Sequence, residues 1–354
     1  MDPKKLDKKY VVYFVLLVAL VAGALVGVFS KANEPEIVAP TEVVVSTDVV
    51  VAEKTVKELQ NGVPFRYVGN GLEHPVIRIM MLGFQEACED NDALCEFNVG
   101  STFEDSVYIG MMEQAISLGA TGMLGSTYGP HRPAALVGIE QGIPMVGFHT
   151  PMVEGDMPGL LAWVATDVTD YAQRSAVAMA EKLDCTGPIA ITQNTFNDVE
   201  NEAARAFTEE MGKICPDVVV LPSQEEGGDV PSAIAKASAI LVANPDLKGA
   251  FGTTGGSPTT LGKAAEQAGK KPGELIIIGM DYTRPNLDLV KEGWVYALVG
   301  QPIYEETYRC VELLIANLKG EKVEFNNYYP APIITIDDVD KYYGYADRVD
   351  EKLK

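Results

Sequence analysis

From residue 65 onward the chain repeats one pattern, a short apolar run followed by a longer stretch with apolar residues three and four apart. FRYVGN (65–70) reads as a strand, and PVIRIMMLGFQEACE (75–89) sets Ile77, Met80, Met81, Phe84 and Cys88 on one helical face. CEFNVG, TGMLGS and IPMVGF read as short buried strands, with helices near 103–118 and 130–140 between them. The rhythm resumes after LLAWVATD. YAQRSAVAMAEKL, ENEAARAFTEEMGKI, DVPSAIAKASAILVAN and TTLGKAAEQAG read as helices, and GPIAITQ, PDVVVL, GAFGTT and ELIIIGM as strands. A short helix near 284–291 then leads to WVYALVG. Strands joined by helices pair in parallel, and their continuous apolar runs imply helices on both faces. The alternation is too long for one small sheet, and 354 residues accommodate two doubly wound α/β lobes.

The amino terminus obeys a different rule. Lys4, Lys5, Lys8 and Lys9 precede YVVYFVLLVALVAGALVGVF (10–29), which carries no charge. Twenty helical residues at about 1.5 Å each span about 30 Å, the thickness of a bilayer's hydrocarbon core. The lysines place the preceding residues in the cytoplasm and the remainder outside it. Ser30-Lys31-Ala32 also fits a small-residue cleavage site, so a removed signal peptide is the competing reading. No cysteine near the end of the run is available for lipid modification. Residues 31–62, with Pro35 and Pro40, read as a spacer with some strand character.

Export permits disulfides. Cys88 and Cys95 flank the turn EDNDAL and are expected to close it; Cys185 and Cys215 are a second candidate pair, and Cys310 reads as a buried free thiol. No CxxC spacing or accompanying histidine suggests a metal site. The net charge of -22, from 50 acids against 28 bases without a basic stripe, argues against nucleic acid, whose phosphates need clustered lysine and arginine.

Several strands finish on polar or small groups: Asn70, His149, Gln193, Thr253-Thr254, Asp281 and Gln301. Each alone is a cap or turn former; Asp281, ahead of Pro285, is read either as a helix N-cap or as a ligand acceptor. Together they are more informative, because ligands of open parallel sheets lie beyond the carboxyl ends of the strands. FGTTGGSP (251–258) is glycine-rich but matches neither GxGxxG nor GxxxxGK[ST]. There is no GxSxG elbow, and the acids in NDVENE (197–202) read as a capped helix start. No activated nucleophile, metal or cofactor is expected, and hence no catalysis.

IPMVGFHTP, VATDVTDYAQRSAVAMAEKL, ENEAARAFTEEM, FGTTGGSPTTLGKAAEQAGKKPGELIIIGMD and KEGWVYALVGQPIYEETY follow one another in order. Over Phe65 to Leu318 they resemble the type I class of periplasmic sugar-binding proteins, of which the ribose-binding protein is typical. The resemblance implies two doubly wound parallel-sheet lobes joined by three hinge crossovers, which here follow the N-terminal transmembrane helix read from residues 10–29. It divides the chain into an anchor or signal (1–30), a linker (31–62), one lobe of 63–165 plus 302–329, and a second of 166–301 plus 330–354. It also implies delivery of a small sugar-like polyol to an ABC permease; with the anchor read from residues 10–29, the expected protein is an extracytoplasmic, membrane-tethered monomer. Presentation of the loaded state to a membrane receptor kinase is the alternative, and a hydrolase using the same cleft ranks below both. Matched position by position, Asp281 falls on the family's sugar-binding aspartate and Gln301 on its hinge-side glutamine. Asn70 and His74 fall on contacts of the first strand and loop, His149 on an acidic contact after the fourth strand, Asn201 on a helix-start arginine, and Thr254 near an asparagine. Phe148 and Tyr282 are aromatic candidates for packing on the ligand. The chain departs from the pattern at His149-Thr150, where an Asp-Arg pair is common, at Asn201, and at Val76 and Ile77, which replace stacking rings.

Overall fold

The computed structural model describes residues 54–150 and 152–353. The expected membrane segment, 10–29, and most of the spacer lie outside these residues. The end of the spacer is not irregular: Val56–Gln60 form helix α1, opened by a capping box in which Thr55 and Glu58 satisfy each other's backbone N–H groups. Val56 is buried, and the Gln60 amide bonds both polar groups of the Leu94 backbone, so α1 is sewn to the folded part.

The first sheet contains β1 (Phe65–Asn70), β2 (Cys95–Gly100), β3 (Gly122–Ser126), β4 (Met145–Phe148), β5 (Ala162–Ala165) and β11 (Asn326–Tyr328), in the order β11-β5-β4-β3-β1-β2. The second contains β6 (Ile189–Gln193), β7 (Gln224–Glu225), β8 (Gly249–Gly252), β9 (Ile276–Met280), β10 (Ala297–Val299) and β12 (Ile333–Ile334), in the order β12-β10-β9-β8-β6-β7. All pairings are parallel except β10 with β12. The chain therefore passes between the sheets three times, after β5, after β10 and after β11. Strands β1, β4, β5, β6, β8, β9 and β10 are buried throughout, which is why most of their residues are apolar.

Two strand expectations need correction. β2 is an edge strand, half open to solvent. PDVVVL (216–221) is not a strand: it exchanges backbone bonds with Ile189 alone and leaves the sheet at Pro222, so β7 forms later as the edge. A proline cannot extend the ladder, and an edge run has no second neighbour to hold it flat.

The helices of the first lobe are α2 (Pro75–Asp90), α3 (Asp105–Leu118), α4 (Arg132–Glu140) and α10 (Ile303–Leu318). Those of the second are α5 (Val168–Leu183), α6 (Asp198–Ile214), α7 (Val230–Ala243), α8 (Ser257–Gln267) and α9 (Arg284–Lys291), and α11 (Val339–Lys352) ends the described chain. Asp167, Asn197 and Asp229 cap α5, α6 and α7 through side-chain bonds. Gly83 lets α2 and α10 meet, since a Cβ there would stand 2.2 Å from the Tyr304 carbonyl oxygen. One apolar cluster runs through both lobes by way of Tyr282, Leu298 and Ile303, and each sheet has a second cluster of its own on the other face. Cys88–Cys95 and Cys185–Cys215 are bonded, while Cys310 is a buried free thiol.

Candidate functional site

His149 directly follows β4 and Asp281 directly follows β9, the third strands in from the same ends of the two sheets. Both adopt a left-handed backbone, φ 68° and 67°. That region is uncommon for residues with a Cβ and recurs at binding sites whose surroundings over-determine it. The surroundings are the same in both lobes: His149 N–H donates to Val164 of β5 and Asp281 N–H to Val299 of β10, each at 2.9 Å. The turn drives each side chain off the line of its strand. The two groups, from different lobes, are close enough to shift each other's titration.

Asp281 is not a helix cap. Thr283 occupies the N-cap of α9, and the carboxylate makes no hydrogen bond to another described residue. It is 5% exposed, and Oδ1 is buried without a partner. Burial raises its pKa to about 6; the charge of His149 opposes the shift and that of Glu306 adds to it. Gly255 accommodates the carboxylate, for a Cβ at that position would lie 2.4 Å from Oδ2. Asn286 Nδ2 fixes the loop by donating to the carbonyls of Gly255, Met280 and Asp281.

His149 Nδ1 lies 3.1 Å from Glu306 Oε2 on the first turn of α10. Burial pulls the imidazole pKa down, but Glu306 and Asp281 outweigh it and the net direction is up. Glu306 is fully buried, and its Oε1 has no partner. The amino end of α10 favours its negative charge. Sequence reasoning missed this residue; the only signal was an acid five positions past Gln301, in the first turn of a helix.

The other expected site residues are distributed along the same strand ends. Asn70 is buried at the end of β1 and donates to the Glu104 carbonyl at 3.3 Å. His74 caps α2, accepting from Val76 N–H, and its ring meets Phe103 edge-on at 4.9 Å. Asn201, on α6, accepts from the buried Gln193 amide at 3.1 Å. Gln301 is buried just after β10, its amide free of hydrogen bonds to described residues. Thr254 is half-buried, whereas its neighbour Thr253 is committed internally, donating to Glu200. Glu200 and Glu226 are also buried, but both are satisfied: Glu200 by Asn194, Asn197 and Thr253, Glu226 by Ser257 and Thr260.

The aromatic candidates named from sequence turn out to be core. Phe148 packs on Tyr67, and Tyr282 packs on Tyr342 and Tyr345. Instead Phe103, Tyr128 and Phe196 are exposed, each two or three residues past the end of β2, β3 or β6. Rings on loops at these ends offer flat apolar faces beside polar groups, the pairing that a polyol needs.

A family profile described as the periplasmic binding protein domain matches residues 65–322. Among solved structures, a sugar ABC transporter sugar-binding protein from Bacillus halodurans is 22% identical, with TM-score 0.74 over 79% of this chain and all of that one. An ABC transporter solute-binding protein from Agrobacterium vitis with bound D-fucose is 23% identical, with TM-score 0.71 over 78% of this chain and 97% of its own. The XylFII-LytSN complex contains a similar chain, 19% identical, with TM-score 0.68 over 78% of this chain and 98% of that one.

Proposed function

The chain belongs to the periplasmic binding protein domain family, and we propose that it is an extracytoplasmic, non-catalytic solute-binding protein for a small sugar-like ligand, working with an ABC permease. The observation that carries the reading is the placing of His149 and Asp281 at equivalent strand ends of separate sheets, both with a left-handed backbone and near enough to influence each other's charge. A ligand between them bridges the lobes and favours their closure. Asp281, His149 and Gln301 form the centre of the site, with Asn70, His74, Asn201 and Thr254 around it. The exposed rings Phe103, Tyr128 and Phe196 flank the ligand. Solved neighbours described as ABC transporter sugar- or solute-binding proteins support the ligand class and the partner. The XylFII-LytSN complex supports a second reading, in which the loaded lobes are presented to a partner protein other than a permease.

The membrane tether belongs to this proposal, supported by the uncharged run 10–29 and the lysines before it. Native protein should fractionate with membranes; a soluble mature chain beginning near Asn33 would mean that the segment is a cleaved signal. Ligand released by denaturing the natively purified protein, identified by mass spectrometry, tests the binding function. Asp281→Ala should weaken that ligand by roughly ten- to a hundredfold, or about 1.5–3 kcal/mol. Unchanged affinity in calorimetry would remove Asp281 from the site.

A further inference from the structure

The centre of the site holds more acidic oxygens than the described residues satisfy. Asp281 Oδ1 and Glu306 Oε1 are both buried without partners, one at the end of β9 and the other on α10. Such orphans are rare in native proteins, because an unmade bond to a buried charged oxygen is costly. Elsewhere in the second lobe the chain avoids the problem, since the buried carboxylates of Glu200 and Glu226 are each met by three or two donors. Among described residues no lysine or arginine bonds to Asp281 or Glu306; His149 is the only basic side chain in contact, and it meets Glu306. Two acids face one imidazole, so the described residues offer fewer donors than these oxygens can accept.

Resting on the solute-binding reading, we propose that the ligand carries a protonated amine beside its hydroxyls, with the ammonium seated between Asp281 and Glu306. An ammonium has three N–H donors, enough to meet both orphan oxygens and one hydroxyl-like acceptor besides. A charge-assisted bond in a closed, buried site is stronger than the bond a neutral hydroxyl makes. A metal ion is the other cation to weigh, but among the described residues no group of three or more histidines, cysteines or acids is arranged to hold one.

The test uses full-length protein and matched pairs of probes: D-glucosamine with D-glucose, and D-galactosamine with D-galactose. Each is titrated by calorimetry and followed by thermal melts. The amine of a pair should bind about tenfold or more tightly than its neutral parent. Glu306→Gln should erase that preference, so that the amine of each pair binds no more tightly than its parent. If the parents bind as tightly as the amines, the charge inference falls and the solute-binding reading stands. If neither class shifts the melt and the natively released ligand has no basic nitrogen, the inference falls with the amino-sugar class. If no small molecule is released or bound at all, the solute-binding reading falls with it.

Discussion

Asp281 is a buried carboxyl whose ionisation is costly to the folded protein. Its carboxyl titrates at about 6 when folded against an ordinary 3.8. The folded state thus holds the proton more tightly than the unfolded chain does. The resulting penalty is absent below pH 3.8, grows as pH rises toward 6, and is complete above it. Asp281→Asn should therefore stabilise the ligand-free protein at pH 7.5, by up to about 3 kcal/mol, and do little at pH 4. Urea titrations at the two pH values check this; an equal effect at both would show that ionisation is not the cause. If Asp281 holds the ligand as proposed, the same substitution should weaken binding, and stability and function part at this residue. The neighbours that set its charge come from three elements: His149 beyond β4, Glu306 on α10, and the loop of Gly255, which carries no charge but leaves room for the carboxylate.

At the scale of elements, the two disulfides fasten different things. Cys88–Cys95 closes the turn from α2 to β2 over a separation of 7, and Cys185–Cys215 joins the ends of α5 and α6 over 30. If their effect is mainly on the unfolded chain, the longer loop contributes about 3–4 kcal/mol and the shorter about 2–3 kcal/mol. Paired serine variants should lower the melting temperature in that order, with non-reducing peptide maps recovering both bridges and Cys310 alone. A larger loss from the short loop would point instead to local packing against β2. The pairing partners were legible because each pair flanks a predicted turn or helix end. The failure of PDVVVL as a strand was not, because apolar residues at a sheet edge look the same as those at its centre until the neighbours are known.

At the scale of the molecule, α11 lies across elements of both lobes. Arg348 and Lys352 pair with Glu86 and Glu89 of α2, and Tyr345 donates to Glu305 of α10. On the other side Arg284 and Lys291 of α9 pair with Asp347 and Asp340, and Tyr343 donates to Asp288. The exposed pairs among these contribute about 0–1 kcal/mol each, and the buried Val339, Ala346 and Val349 matter more to folding than they do. Because the helix grips both lobes, its removal should alter their opening as well as their stability. Deleting residues 338–354 is expected to lower the melting temperature and change the affinity for the native ligand. A deletion that lowers the melt but leaves affinity and small-angle scattering of empty and loaded protein unchanged would make α11 a passive covering.

What the sequence determined by itself was whatever depends on near neighbours along the chain. The βα alternation, the capped helix start at NDVENE, the burial of LIIIGM and the placing of a carboxylate at its end all follow from local spacing and side-chain type. The fold class and most strand ends were therefore legible, and so was the position of Asp281 just past β9. Only the tertiary structure decided which polar groups share one environment. His149 and Glu306 meet across 157 positions, and whether Asp281 finds a donor depends on three elements at once. It also moved Phe148 and Tyr282 into the core and put Phe103, Tyr128 and Phe196 on the surface. A ring's chemistry is the same in either place; what differs is the shape packed around it, and that shape exists only once distant segments have come together.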